Sequence, residues 1–214
     1  LTAGVVVAGD RIVHRSETGD RPLIPLSAVQ VPGQHLLSDV LAAGAAANVL
    51  GAADTEMTAA VESFQGLEHA FEPVGEVDGV RFVNDSKATN VEAAARAVES
   101  APAPVVVIMG GRFKGGDLRR LRELIGERAD TVVVIGEARE RFGEAFGSVV
   151  RVLERESLPL AVQTAFGVAP PGGTVLLAPA CASLDMFRDY AERGRVFKQA
   201  VARLREERAT TREQ

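Results

Sequence analysis

The sequence contains few of the residues that several kinds of site require. A single cysteine, Cys181, among 214 residues excludes an internal disulfide and a zinc site with several cysteine ligands. Such sparse cysteine fits a reducing compartment, and we expect the protein in the cytoplasm. No apolar run approaches the roughly 18 residues that span a bilayer. No basic stretch followed by an apolar segment predicts a signal peptide.

Cations are in the minority. The 24 lysine and arginine residues face 29 aspartate and glutamate residues, a net charge of −5 that argues against non-specific binding to nucleic acid or to an anionic membrane. Only three of the cations are lysines, namely Lys87, Lys114 and Lys198. Where arginine is the usual cation, a retained lysine indicates a place that favours a compact ammonium group. Coding bias explains the same count, so the lysines only rank candidate positions.

The remaining composition, 46% hydrophobic and 25% charged, is that of a folded globular protein. Residues 1–34 have the pattern of short strands, at 4–8, 11–14 and 22–31, and helical patterns follow at 37–51 and 55–64. This unit, residues 1–69, has few strands for a free-standing domain. The chain also begins with Leu1 rather than methionine, and together these features lead us to expect a fragment of a longer or processed protein.

From residue 71 onward, strand patterns alternate with helical ones. Asp78-Gly79 is a strong turn signal between strands at 71–77 and 80–83. Apolar runs at 105–109, 131–135, 149–153 and 174–178 alternate with helical patterns at 117–125, 137–146, 158–168 and 193–207. Uninterrupted β-branched runs between helices predict a mostly parallel sheet covered on both faces. We therefore expect a second domain, residues 70–214, with a doubly wound, Rossmann-like α/β fold up to about residue 208.

Ligands of open α/β sheets bind beyond the carboxyl ends of the strands, so the loops after the predicted strands are the candidate site. The first, residues 84–90, is dense in hydrogen-bonding side chains. There Thr89 or Asn90 caps the next helix and Lys87 adds a full charge. An anion site is one interpretation, because free N–H groups at a helix start attract anions. The other is a well-capped surface loop.

Two further loops complete this candidate rim. Residues 110–116 place two glycine pairs around Arg112 and Lys114, which lets the backbone approach a ligand but does not match a Walker A loop. A flexible turn is the alternative. Residues 179–185 place Ser183 at a predicted helix start, where a plain N-cap serine is the simplest interpretation.

The other chemistry-bearing residues favour structural roles. His14, His35 and His69 are scattered, so each is expected at the surface or in packing, and no metal site is predicted. Cys181 has no neighbouring base in the sequence and is expected to be a small buried hydrophobe. The arginine-rich final helix has the pattern of a solvated face.

Three motifs in order resemble the Mur ligase family, and in particular its members that add D-glutamate. They are Asn84-Asp85-Ser86-Lys87-Ala88-Thr89-Asn90, the Gly-Gly-Arg-x-Lys-Gly loop at 110–115, and Pro179-Ala180-Cys181-Ala182-Ser183-Leu184-Asp185-Met186-Phe187 followed by Glu192-Arg193-Gly194 and Phe197. The resemblance covers nearly the whole chain. It implies that residues 1–69 are the end of the family's central ATPase domain and that residues 70–214 are its C-terminal, glutamate-binding domain.

The resemblance implies an ATP-dependent ligation. ATP converts the carboxylate of UDP-N-acetylmuramoyl-L-alanine into an acyl phosphate, which the amine of D-glutamate attacks to form an amide. The residues that the resemblance assigns to D-glutamate are Lys87, Thr89, Lys114, Ser183, Leu184 and Tyr190. Lys87 is also the catalytic candidate, and Asp85 is expected to bind the nucleotide ribose. ATP and Mg²⁺ are the implied cofactors of the full-length enzyme, which is expected to be a monomer, and no cofactor is expected on this chain alone.

The chain departs from the family pattern mainly where the family faces ATP. The family's P-loop, magnesium ligands and carbamylated lysine belong to segments upstream of this chain. A family His-Asn-x-x-Asn motif becomes His35-Leu36-Leu37-Ser38-Asp39, which leaves Asp39 as the polar candidate for nucleotide binding, and a His-Arg pair becomes His69-Ala70. Phe113 stands where an acidic residue is common. Two alternatives follow: a binding module that no longer uses ATP, and a related ligase of folate metabolism, against which the three motifs argue.

Overall fold

In the computed structural model, residues 3–31 and 33–212 are described, with the side chains of residues 34, 35 and 212 left out. The side chain of His35 therefore lies outside the described part. The chain divides into two compact units, Leu1–Gly66 and Leu67–Gln214. This division falls three residues before the domain boundary predicted between residues 69 and 70.

The first unit packs two helices on a small antiparallel sheet. Its elements are β1 (Gly4–Ala8), β2 (Arg11–Ser16), β3 (Gly19–Pro25), a 3-10 turn (Leu26–Ala28), α1 (Gln34–Val49) and α2 (Asp54–Ser63). Its core includes Ile12, Ile24 and Met57. The strand predicted at 22–31 is wrong beyond Pro25, because residues 26–28 turn into a 3-10 helix there. Pro25, which has no N–H to give to a ladder, marks the end of the strand.

The second unit is a doubly wound α/β domain, as predicted. Its elements are β4 (Glu72–Val77), β5 (Val80–Asn84), α3 (Val91–Ser100), β6 (Val105–Gly110), α4 (Arg119–Arg128), β7 (Ala129–Ile135), α5 (Arg139–Phe146), β8 (Arg151–Glu154), α6 (Leu158–Val168), β9 (Thr174–Leu177) and α7 (Tyr190–Arg212). The strand order is β4-β5-β9-β6-β7-β8. All neighbouring pairs are parallel except β4 with β5, the predicted hairpin around Asp78-Gly79.

Both faces of this sheet are covered. Successive side chains of a strand point to opposite faces, yet Val105 to Met109 of β6 are all fully buried. One face carries Phe82 and Ile108 and packs against Phe197 of α7 and residues of α6. Helices α4 and α5 contact β7. The uninterrupted apolar runs of the sequence therefore arise from burial on two sides.

The loop after β9 differs from its prediction. Ser183 is not a helix N-cap, because residues 184–186 form a turn in which the N–H groups of Met186 and Phe187 donate to Ser183 O at 3.1 and 2.8 Å. The final helix begins at Tyr190, three residues earlier than predicted. Asp189 supplies the cap, since its Oδ1 accepts from the Glu192 N–H at 2.7 Å.

The sequence left open whether Thr89 or Asn90 caps the helix after β5. Asn90, and not Thr89, caps α3, with its Oδ1 accepting from the Ala93 N–H at 2.8 Å. No helix within the described residues is both long and apolar enough to cross a membrane.

We expect Gly194→Ala to destabilise the second unit although it lies within α7. Alanine normally stabilises a helix relative to glycine by about 0.5–1 kcal/mol. Here the added Cβ would overlap the buried His69 ring, 2.8 Å from its Cγ and 2.9 Å from its Cε1. Overpacking of this kind typically costs about 1–3 kcal/mol, which reverses the sign.

Denaturant unfolding followed by the fluorescence of Tyr190 tests this expectation. Tyr190 is the sole tyrosine of a chain without tryptophan, so its emission reports the second unit. The matched control is Gly143→Ala in α5, where a Cβ meets nothing within 4 Å and a small gain is expected. A Gly194→Ala variant at least as stable as wild type would contradict the clash.

Candidate functional site

Three loops meet where neighbouring parallel strands end. The Ala180 N–H donates to Ala88 O at 3.0 Å, which ties the loop after β9 to the loop after β5. Arg112 and Ala182 exchange two backbone hydrogen bonds of 2.9 and 3.0 Å, which tie the same loop to the one after β6. The segments that carry Lys87, Lys114 and Ser183 are thus joined at one edge of the sheet.

A buried arginine binds all three loops together. The Arg193 guanidinium donates to Ser86 Oγ at 3.0 Å, to Ser86 O at 2.8 Å and to Cys181 O at 3.1 Å, with a longer contact of 3.5 Å to Gly110 O. Ser86 Oγ in turn donates to Tyr190 O at 2.7 Å. Arg193 is 1% exposed, and this burial lowers its pKa to about 10, so it is a cation at neutral pH.

The interpretation of the last helix as a solvated arginine-rich face is therefore wrong for Arg193. Sequence spacing carried the signal. Arg193 precedes Phe197, Val201 and Leu204 at intervals of four, eight and eleven residues, which places it on the buried side of the helix.

The two loop lysines are exposed, and among the residues that the structure describes neither ammonium group has an ion pair or a hydrogen bond. The Lys87 N–H donates to His69 O at 3.0 Å, which anchors its backbone and leaves its side chain free. Lys198 differs, because its Nζ contacts Glu68 Oε1 at 2.6 Å and Glu72 Oε1 at 2.9 Å. Two of the three lysines thus present unneutralised charge at the loops, while the third has a structural role.

The remaining candidates for glutamate binding differ in exposure. Ser183 is 3% exposed, Thr89 is half-buried, and Leu184 and Tyr190 are 60% and 39% exposed. Leu184 and Tyr190 thus offer apolar side chains to solvent, and Thr89 and Ser183 offer hydroxyl groups.

Asp85 is a buried residue of the loop that carries Lys87. It is 8% exposed, and Oδ1 accepts a hydrogen bond of 3.1 Å from the Phe71 N–H. Burial raises the pKa of Asp85 to about 6, although the Phe71 N–H and the charge of Lys87 both act to lower it. A carboxylate kept in such surroundings is typical of functional sites.

The other nucleotide candidate, Asp39, belongs to the first unit, where it is exposed on α1. The neighbouring departures have a structural reason. Leu36 and Leu37 pack against the apolar core of that unit, so their side chains contribute to packing.

His69 and Cys181 are both buried. His69 is 2% exposed and its Nδ1 lies 2.9 Å from Asn84 Nδ2, which fits the packing role. Cys181 is fully buried, as predicted, and burial raises the pKa of its thiol to about 12. Within the described ranges, no group of three or more histidine, cysteine, aspartate or glutamate residues is arranged to hold a metal ion.

Phe113 also has a structural explanation. Its ring meets that of Phe142 edge-on, with the centroids 5.9 Å apart, and the Arg141 guanidinium lies 5.1 Å from its centroid. The side chain therefore packs the glycine-rich loop against α5.

The sequence is similar to a family of known proteins. Residues 71–181, a little over half of the chain, match the family described as Mur ligase, glutamate ligase domain. The chain belongs to the Mur ligase family. It is 44% identical over 200 residues to the UDP-N-acetylmuramoylalanine–D-glutamate ligase of Chlorobaculum parvum, and 42% identical over 203 residues to that of Acidobacterium capsulatum. These alignments cover 92% and 94% of this chain but 43% and 44% of the relatives. The chain thus spans less than half of their length.

Solved Mur ligase-like structures share the fold at low sequence identity. A Mycobacterium tuberculosis folylpolyglutamate synthase complexed with ADP matches with a TM-score of 0.65 at 16% identity, covering 94% of this chain and 47% of that one. The UDP-N-acetylmuramate-alanine ligase of Thermotoga maritima matches with a TM-score of 0.61 at 19% identity, covering 81% and 39%. At these identities the matches establish the Mur ligase fold alone.

Proposed function

We propose that this Mur ligase chain carries the amino-acid-binding part of an ATP-dependent ligase that adds D-glutamate to UDP-N-acetylmuramoyl-L-alanine. In this proposal, the first unit is the end of the central domain and the second is the glutamate-binding domain. The observation that carries it is the joining of three loops, which places two unpaired ammonium groups and the buried Ser183 on hydrogen-bonded neighbouring segments. The identity to D-glutamate ligases supports the choice of amino acid.

The proposed reaction requires cationic residues that stabilise negative charge, and it requires no covalent bond between the protein and the substrate. ATP supplies the phosphoryl group that activates the muramoyl-alanine carboxylate as an acyl phosphate. The neutral amine of D-glutamate then attacks the acyl carbon, the C–N bond forms, and phosphate leaves with the C–O bonding pair while the nitrogen releases one proton to the departing phosphate or to water. Negative charge is present on both carboxylates of D-glutamate, on the phosphate and on the tetrahedral oxygen, so fixed cations lower the barrier.

The roles of the residues follow from this need. Lys87 and Lys114 supply the charge, and the family resemblance makes Lys87 the catalytic candidate. Thr89 and Ser183 supply hydroxyl groups, and Leu184 and Tyr190 contact the methylene chain. The buried Asp85 carboxylate can accept a hydrogen bond from a ribose hydroxyl. Among the described residues, no group of three or more histidine, cysteine, aspartate or glutamate residues is arranged to hold a metal ion. A reaction that consumes ATP and a UDP-linked precursor belongs in the cytoplasm.

Binding to the chain itself is the direct test. In two-dimensional ¹H–¹⁵N NMR, D-glutamate is expected to shift the amide signals of Thr89, Ser183 and Leu184, and L-glutamate to shift them less. Expression of the complete open reading frame with ATP, D-glutamate and UDP-N-acetylmuramoyl-L-alanine should release phosphate and form the amide. Absence of both results would refute the proposal, whereas D-glutamate binding without amide formation would indicate the binding module.

Lys114→Ala is expected to weaken D-glutamate binding about tenfold or more. Loss of a charge-assisted hydrogen bond costs roughly 1.5–3 kcal/mol, and about 1.4 kcal/mol corresponds to tenfold in affinity. The same NMR titration measures the dissociation constant. Lys198→Ala is the matched control, since it removes an ammonium group already neutralised by Glu68 and Glu72. An affinity unchanged within about twofold in Lys114→Ala would exclude a direct contact.

A further inference from the structure

A closed ring of hydrogen bonds connects the Ser183 turn with the Lys114 loop through the segment after β7. We call it the Asp185 ring, formed by Arg112, Glu137, Ala182 and Asp185. Arg112 and Ala182 are paired through their backbones, as described above. Asp185 Oδ2 accepts from the Glu137 N–H at 2.9 Å. The Glu137 carboxylate closes the ring by accepting from Arg112, with Nη2–Oε1 3.0 Å and Nε–Oε2 3.2 Å.

The backbone leaves room for the Asp185 carboxylate. Gly136 has φ +70°, and a Cβ at this position would overlap Asp185 Oδ2 and lie 3.0 Å from Gly111 Cα. The absence of a side chain at Gly136 is therefore what allows the carboxylate to reach the Glu137 amide. Asp185 and Glu137 also line an open cavity of about 270 Å³ together with Gly136, Arg139, Glu156 and Met186.

Two of the proposed glutamate contacts lie inside this ring. Ser183 and Leu184 are the residues between Ala182 and Asp185, so both ends of their short segment are fixed. Lys114 follows Arg112 by two residues on the opposite side of the ring. We propose that Asp185 is a positioning residue for glutamate capture, holding the Ser183–Leu184 segment in register with the Lys114 loop. This inference rests on the proposed function.

The Asp185 bond is the strong link of the ring. The side chains of Arg112 and Glu137 are 53% and 56% exposed, and such surface pairs contribute little. Asp185 is half-buried, and its Oδ1 is fully buried without a hydrogen-bond partner among the described residues. A carboxylate bond to a backbone N–H in such surroundings is charge-assisted and poorly replaced by water.

Asp185→Ala is therefore expected to weaken D-glutamate binding about tenfold, the size of a lost charge-assisted hydrogen bond. It should also speed amide hydrogen exchange at Glu137, Arg112 and Ala182. Asp185→Asn keeps an acceptor oxygen but loses the charge, and it is expected to restore part of both properties. Glu156→Ala removes the same charge from the rim of the same cavity, outside the ring, and should leave the affinity within about twofold of wild type.

Several results would overturn the positioning role. They are an Asp185→Ala variant with wild-type affinity, one with unchanged exchange at Arg112 and Ala182, or an Asn variant as impaired as Ala. If Asp185→Ala does not fold, the exposed Arg112→Gln opens the other side of the ring, and faster amide hydrogen exchange at Glu137 and Ala182 is expected. Wild-type exchange at both amides in that variant would contradict the ring. If the wild-type chain binds no D-glutamate, the proposed function fails, whereas faster exchange in Asp185→Ala still supports the ring.

Discussion

Arg193→Ala should destabilise the second unit by about 2–5 kcal/mol, among the largest effects expected here of a single substitution, because buried hydrogen bonds are lost and a cavity is left. The variant loses the hydrogen bonds to Ser86 Oγ, Ser86 O and Cys181 O at once. Each buried acceptor left without a donor costs about 1–3 kcal/mol. The truncation also leaves a cavity where a fully buried guanidinium stood.

Arg193→Ala should also disrupt the arrangement of the three loops. Ser86 belongs to the loop of Lys87, Cys181 to the loop of Ser183, and Gly110 begins the loop of Lys114. Arg193 is the one side chain among the described residues that bonds to all three. Its removal should therefore abolish D-glutamate binding even in the fraction of molecules that remain folded. Arg193→Lys keeps the charge but lacks the planar fork of donors, so only part of the stability should return.

Unfolding in denaturant, followed by Tyr190 fluorescence, measures the loss for the second unit. The matched control is Arg195→Ala, two residues along the same helix, where the side chain is exposed and a change within about 0.5 kcal/mol is expected. A loss below about 1 kcal/mol in Arg193→Ala would show that water replaces the guanidinium without penalty, against the role assigned here.

The fold of the second unit could be predicted from the sequence, because strands buried on both faces consist largely of consecutive apolar residues. Runs such as 105–109 and 175–177 consist of apolar residues, and short continuous runs of this kind are typical of strands inside a covered sheet. Boundaries were less accessible. The start of α7 at Tyr190 depends on Asp189 acting as its cap, and an aspartate in a polar loop gives no unique signal of that role.

The candidate site was found by a rule of topology and not by its bonds. Polar loops after parallel strands were expected at one edge, and the structure joins them there. Arg193 and Asp185 were missed as organising residues because most of their partners are backbone groups, although Arg193 also donates to the Ser86 hydroxyl. Ser86 lies 107 residues from Arg193, and the Glu137 amide lies 48 residues from Asp185. A main-chain N–H or C=O has no residue identity, so such a bond leaves no pattern in the sequence of either segment.

Asp85→Asn is expected to stabilise the second unit at neutral pH by roughly 3 kcal/mol. Burial raises the pKa of Asp85 from 3.8 to about 6. Each pKa unit corresponds to about 1.4 kcal/mol of preference for the neutral form in the folded state. Between about pH 4 and pH 6, the unfolded chain releases this proton while the folded chain keeps it. Stability from this group therefore falls as pH rises through that window and is constant above it.

The asparagine variant isolates this contribution, because its amide is neutral at every pH and its Oδ1 can still accept from the Phe71 N–H. At about pH 4, wild type and Asp85→Asn should be nearly equal in stability, and the difference should grow to its full size above about pH 6. Unfolding by denaturant at a series of pH values, read by Tyr190 fluorescence, gives the difference curve. Asp130→Asn, an exposed carboxylate of β7, controls for loss of a surface charge.

A stabilising effect of Asp85→Asn would also bear on function. A buried charge that lowers stability is often one that function needs. A substitution that removes such a charge then raises stability and lowers activity. We therefore expect Asp85→Asn to gain stability and, under the proposed role of Asp85 in nucleotide binding, to bind ribose more weakly, since an amide oxygen accepts a hydrogen bond less strongly than a carboxylate. Equal stability of the two proteins at neutral pH would show that the Phe71 N–H and the charge of Lys87 already balance the burial of this carboxylate.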